Sequence, residues 1–267
     1  MKAGPQRIVC LSAETVDLLY RLGAGDQVVG VSGYTVFPPE ARKKPFVSAF
    51  TSIRHEVIDE LKPDLILAYS DLQADAAAEL GKKGYPVVLT NQHSLTECFE
   101  TFALIGRIVG RAQEADALIA DLKQRLEAAR RRPVASGRRP RVFFEEWDEP
   151  LISGIGWIDD LIRVAGGDPV FPELTKAKIA SERIVSPAAV AAAAPDIVIA
   201  SWCGRKAKLA RIRARPGWGT VPAVCERAIF EVKSAYCLQP GPALIAEGLP
   251  RFIEIIDDWR TRARETA

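Results

Sequence analysis

Two distant stretches of this chain follow one plan. HEVIDELKPDLILAYS (55–70) and SPAAVAAAAPDIVIASW (186–202) each read as a short helix, a Pro-Asp pair, an apolar strand and a polar or aromatic end. Such strands show no polar alternation, so both faces must be covered, as in a parallel sheet flanked by helices. The repeat recurs far too late for a solenoid. It implies two similar α/β lobes, and 267 residues are enough for each to bury its own core.

The rest of the chain fits that frame. RIVCLS (7–12), VVGVS (28–32) and PVVLTN (86–91) read as further buried strands of the first half. TVDLLYRLG (15–23) spaces Val16, Leu19, Tyr20 and Leu22 as a helix face, stopped by Gly23. Ser94 with Glu97 makes a capping-box pattern, opening a helical signal that continues to about residue 132 with a kink expected near Gly110. The part beyond Gly110 would span roughly 30 Å. PVASGRRP (133–140) then breaks the pattern. RVFFEEW (141–147) and RAIFEVK (227–233) read as strands of the second half, GWIDDLIRV and the basic KAKLARIRARPGW (206–218) as helices. Pro250 must kink or split the closing helix. The expected fold is α/β: two Rossmann-like lobes with parallel sheets joined by one long rigid helix, with a ligand cleft between the lobes. The boundaries are 1–110 for the first lobe, 111–135 for the linking helix and 136–267 for the second.

Composition excludes several functions. A net charge of +2 points neither to nucleic acid nor to a membrane surface, and the basic run near 130–141 reads as a solvated helix end. Five Cys residues without CxxC spacing are no disulfide framework, so a reducing compartment is expected. The stretch MKAGPQRIVCLS has no apolar signal core, which reads as cytoplasmic as written, or periplasmic if a leader has been removed. Only His55 and His93 are present, outside any HxxxH pattern, so no metal and no intrinsic cofactor are expected. His93, after a strand end, reads as a solvated loop residue. There is no GxxxxGK[ST] or GxSxG, and GAGDQV lies between helix and strand, the wrong order for a dinucleotide fingerprint. A monomer is expected.

The chemistry then concentrates in FFEEWDEPLISGIGW (143–157), with four carboxylates and two Trp residues. On a regular strand Glu146 and Asp148 share a face, whereas Glu145 and Asp148 do not. A hydrolase or lyase using Glu146 and Asp148 is therefore an alternative, although DEP at 148–150 reads as a turn. The stronger signal is aromatic. Tyr69 and Trp202 end matching strands, Trp147 and Trp157 flank the acids, and Tyr34, Phe37, Phe50 and Tyr236 follow other strands. Rings at carboxyl ends of strands suit a large, flat, apolar ligand.

These residues resemble a known family. RIVCLSAETVDLLYRLGAGDQVVGVS, YTVFPPEAR and KPDLILAY resemble the first lobe of substrate-binding proteins of ABC importers for cobalamin and siderophores, and the cobalamin-binding branch in particular. EEWDEPLISGIGWIDDLIRVAGGDPVF and AYCLQPGPALIAEGLPRFIEII resemble the second lobe and closing helix of that branch. The resemblance implies noncatalytic binding of a cobalamin-like corrinoid, as the substrate-binding protein of an importer or as a cytoplasmic carrier. It places Tyr34, Phe50, Tyr69, Glu146, Trp147, Trp157, Trp202 and Tyr236 around the ligand. Haem or a ferric siderophore is the alternative ligand, contacted through iron by Tyr34, Tyr69 or His93. An ABC permease is the implied partner, docked through Asp75, although the basic CGRKAKLARIR after Trp202 departs from an acidic docking surface on the second lobe. QPGPA stands where relatives often carry a basic residue.

Overall fold

A computed structural model of the protein describes residues 4–133 and 138–265. The chain forms two compact units. Unit 1 comprises Met1–Gln92, Thr96–Lys123 and Gln239–Ala243; unit 2 comprises His93–Leu95, Gln124–Leu238 and Leu244–Ala267.

Unit 1 is built on strands β1 (Ile8–Cys10), β2 (Val28–Ser32), β3 (Phe46–Ala49), β4 (Ser52–Ile53), β5 (Leu65–Tyr69) and β6 (Val87–Thr90). Their order is β4-β3-β2-β1-β5-β6, and every pair is parallel except β3–β4. β3 and β4 carry no long apolar run and escape the sequence reading. A polar residue is buried in β3, where the Ser48 hydroxyl donates to Leu11 O at 2.7 Å. Helices α1 (Ala13–Arg21), α2 (His55–Leu61), α3 (Ala74–Lys82), α4 (Leu95–Ile108) and α5 (Ala112–Arg131) follow in chain order. The expected kink is a full break: Gly110 adopts φ +71° and Arg111 N–H donates to Gly106 O at 2.7 Å, so α4 ends and α5 starts afresh. Residues 134 and 135, the expected end of the linking helix, lie outside the described residues.

Unit 2 has β7 (Arg141–Asp148), β8 (Leu151–Ser153), β9 (Asp168–Pro169), β10 (Ile197–Ala200) and β11 (Ile229–Glu231), in the order β11-β10-β7-β8 with β9 also on β7. Only β8 runs antiparallel, joined to β7 through the Glu149-Pro150 turn. Its helices are α6 (Gly156–Val164), α7 (Pro187–Ala193), α8 (Leu209–Arg213), α9 (Pro222–Cys225), α10 (Ser234–Cys237) and α11 (Leu249–Glu265). The basic helix expected at 206–218 shrinks to α8, ended ahead of Pro216-Gly217. The closing segment changes register near Pro250: a π turn over Leu244–Gly248 runs directly into α11, whose second residue is Pro250.

The repeated plan is repeated in backbone detail. α2 and α7 end on left-handed residues, Lys62 (φ 47°, ψ 59°) and Ala194 (φ 44°, ψ 59°). The Pro that follows cannot continue a helix, and the next Asp ties the neighbouring strand. Asp64 N–H donates to Arg7 O and its carboxylate accepts from the backbone N–H groups of Gln6 and Arg7, each at 2.8 Å. Asp196 N–H donates to Arg141 O, and its carboxylate accepts from Arg141 N–H at 2.7 Å. Each unit has a core of its own: Val9, Leu11, Ile58 and Ile66 in unit 1, and Phe143, Val198, Trp202 and Trp218 in unit 2. Burying each such side chain contributes about 1.5–3 kcal/mol.

Candidate functional site

In unit 1 the strand order reverses between β1 and β5. Ligands of open α/β sheets bind outside the strand carboxyl ends at such a point. Here a buried amide closes it. Gln73 Oε1 accepts from Tyr69 N–H at 3.0 Å, and Nε2 donates to Leu11 O at 3.1 Å and Phe50 O at 2.7 Å. The last bond holds a strained residue, because Phe50 sits at φ +59°, a left-handed conformation that costs a bulky side chain about 1–3 kcal/mol. Half-buried Phe50 and Tyr34, which is 45% exposed, present rings at the ends of β3 and β2. Tyr69 is buried, and its hydroxyl donates to Gln92 O at 3.3 Å.

In unit 2 the corresponding place, between β7 and β10, is ionic. The register of β7 on β8 slips between Glu145 and Trp147, a bulge that breaks the regular alternation of faces. Glu146 and Asp148 therefore do not act as a pair on one face. Glu146 accepts from the buried Arg183 guanidinium at 2.5 and 3.0 Å. Asp148 accepts from Arg205 at 2.9 Å and pairs with Arg211 at 3.2 Å. Glu145, fully buried, accepts from Arg215 at 2.8 and 3.1 Å and from Trp202 Nε1–H at 3.2 Å. Glu149 pairs with Arg211. Each carboxylate of the opening cluster thus faces a guanidinium, which fits an ionic lattice rather than an acid/base pair.

The rings of unit 2 divide into two classes. Trp202 (1% exposed) belongs to the core, and Trp157 (2% exposed) donates its indole N–H to Cys237 O at 2.8 Å. Both are committed to the interior: the apolar strand end carries Trp202 inward, and close packing at Gly156 carries Trp157. A Cβ at Gly156 would stand 2.6 Å from His93 O and 2.9 Å from Thr175 O. Trp147 and Tyr236 are half-buried, each with a guanidinium on one face: Arg205 lies 4.2 Å from the Trp147 centroid and Arg251 4.0 Å from that of Tyr236. His93 is buried rather than solvated, because its carbonyl accepts Trp157 N–H at 3.1 Å and draws it into the fold.

Asp75 is exposed in the first turn of α3. Among the described residues no cluster of three or more His, Cys, Asp or Glu could hold a metal, and no helix is long and apolar enough to cross a membrane. Gln73, Arg183, Arg205 and Arg215 were missed by the sequence reading. The signal for Arg205 and Arg215 was complementary charge, EEWDE against GRKAKLARIRAR; Arg183, in SERIV, stands outside that run. Gln73 left none.

Comparison with known proteins adds an outside view. The family described as "Periplasmic binding protein" matches residues 8–236. An ABC transporter substrate-binding lipoprotein of Bacillus subtilis is 28% identical over 266 residues, covering 96% of this chain and 81% of the relative. A vitamin B12-binding protein of Pectobacterium carotovorum is 27% identical over 175 residues, 63% of each chain, so the match spans less than two thirds of that relative. The crystal structure of a possible iron-binding (periplasmic solute-binding) protein from Staphylococcus epidermidis superposes with a TM-score of 0.80, at 26% identity, covering 94% of this chain and 98% of that one.

Proposed function

Because the chain belongs to the periplasmic binding protein family, we propose that it captures a cobalamin-like corrinoid, without chemical change, for an ABC importer. The observation that carries this reading is the set of accessible rings at strand carboxyl ends: Tyr34 and Phe50 in unit 1, Trp147 and Tyr236 in unit 2. Such rings supply contact area at low entropy cost, as a large macrocycle requires. The vitamin B12-binding relative supports the corrinoid among flat ligands. Tyr69, Trp157 and Trp202 are buried and act as support rather than as contact surface, and Glu146 reaches the ligand only as an acceptor already shared with Arg183. Asp75 is the docking acid for the permease. The lipoprotein relative supports action outside the cytoplasm, where an importer collects its substrate.

The second reading keeps the family and changes the ligand to haem or a ferric siderophore. The iron-binding neighbour and the exposed Tyr34 phenol favour it. One experiment separates the two. Purified protein is mixed with cyanocobalamin, haemin or a ferric hydroxamate, desalted, and scanned in the visible. A retained corrinoid spectrum is expected; retention of only haemin or the hydroxamate replaces the ligand, and retention of none removes the reading.

A further inference from the structure

We propose that Glu14 is a proton-operated latch for the segment Gln239–Ala243: protonated, it lets the segment seat on the first turn of α1, and ionised, it loosens that seat. This goes beyond ligand capture and does not depend on which ligand is held.

The segment QPGPA belongs to unit 1 although its flanking residues belong to unit 2. Hydrogen bonds fasten it to the rest of unit 1. Ala243 N–H donates to Asp17 Oδ2 at 2.8 Å, Gln239 Nε2 to Tyr34 O at 3.2 Å, and Gln92 Nε2 to Pro240 O at 3.4 Å. At its centre the backbone lies directly on Glu14. A Cβ at Gly241 would stand 2.9 Å from the Glu14 Cβ and 3.1 Å from its Cα and carbonyl oxygen, so only glycine allows this approach. Glu14 is 95% buried, by its 5% exposure, and its Oε1 has no hydrogen-bond partner. Ser12 and the Glu14 backbone N–H both bond the carboxyl group, but Oε1 is left without a donor, so burial of the ionised form is not fully compensated.

Among the described residues, no cation acts on the Glu14 carboxyl group. On its own helix stands the Asp17 carboxylate, already paired with Arg21 at 2.7 Å. From β1 comes Cys10, whose thiol burial pushes up to about 12, keeping it neutral; Lys44 acts on that thiol. The segment itself has no ionisable side chain, and Gln92 is neutral. Burial accordingly pushes Glu14 up to about 7, against the opposing hydrogen bonds from Ser12 and from its own backbone N–H. Once the segment lifts, water reaches the carboxylate and its affinity for the proton returns toward the ordinary 4.5. Opening is then coupled to proton loss, and its equilibrium constant rises about tenfold per pH unit between those two values.

Hydrogen exchange of the Gly241 and Ala243 amides, corrected for the intrinsic pH dependence, tests the latch. In wild type the opening constant is expected to climb steeply from pH 5 to about 7 and then level off. Glu14→Gln is expected to abolish the slope, and Asp17→Asn to raise opening while keeping the slope. An unchanged slope in Glu14→Gln, or no slope in wild type, overturns the proposal. Should Glu14→Gln fail to fold, a carboxyl-carbon NMR titration of wild type decides: a Glu14 midpoint near 7 supports the latch, and one in the ordinary carboxylate range overturns it. Neither readout uses a ligand, so the corrinoid reading can fail without affecting it.

Discussion

The two units close the same point of the same fold with opposite chemistry. Where β1 meets β5, unit 1 uses one neutral amide, Gln73, to gather Tyr69, Leu11 and Phe50. Where β7 meets β10, unit 2 uses Glu145 clamped by Arg215 and Trp202, beside further carboxylate–guanidinium pairs of Glu146, Asp148 and Glu149. A neutral amide is cheap to bury and insensitive to pH. A buried ion pair is costly to desolvate and rigid once made, and it suffers badly when one partner is removed. Unit 1 therefore tolerates strain at Phe50 on an uncharged support. Unit 2 fixes the backing of Trp147 through Arg205, which Asp148 holds in place.

Substitutions at the two closures should separate them. The largest effect is expected for Arg215→Ala, which leaves the Glu145 carboxylate buried and unpaired; unit 2 should lose about 3–5 kcal/mol, read by urea unfolding with hydrogen exchange to localise the loss. Replacing both Glu145 and Arg215 by Met should recover most of it. A small effect of Arg215→Ala would mean that the closure is not a true ion pair. Gln73→Ala should cost unit 1 about 1–3 kcal/mol for each buried group left unpaired, and should release Phe50 from its left-handed conformation.

Each unit also buries one acid whose proton is held tightly, and pH should distinguish them. In unit 2 burial pushes Asp159 up to about 6, against the hydrogen bond from Thr175. The unfolded chain ionises first, near 3.8, so unit 2 should lose stability as pH rises from about 4 to 6 and then level off. In unit 1 the same loss, set by Glu14, should extend to about pH 7. Asp159→Asn should flatten the lower window alone. A smaller expected change is in ligand affinity: Arg205→Ala should weaken binding a few-fold by freeing the Trp147 ring, with Arg205→Lys restoring part of it.

Much of the fold was legible because its signals are local. The Pro-Asp pairs marked two equivalent crossovers, and the glycine at 110 marked an interruption, expected as a kink and found as a full break. β3 was not legible, because a buried serine replaces the apolar residue that would have announced it. The site was harder. Exposure cannot be read from residue type: Trp147 and Trp202 both stand at strand ends, yet one is half-buried and the other is core. The assignment of Glu146 and Asp148 to one face failed because a bulge adds a residue that no periodicity reveals. The arginines that neutralise the acids lie far along the chain, so only the fold brings them together.

The central claim is capture of a corrinoid by accessible rings at strand carboxyl ends. Isothermal titration of wild-type protein with cyanocobalamin tests it most directly, alongside Tyr34→Ala from unit 1 and Trp147→Ala from unit 2. The account predicts one corrinoid per chain and a loss of about tenfold or more in affinity for each variant. No heat with wild type, or wild-type affinity in both variants, would contradict it.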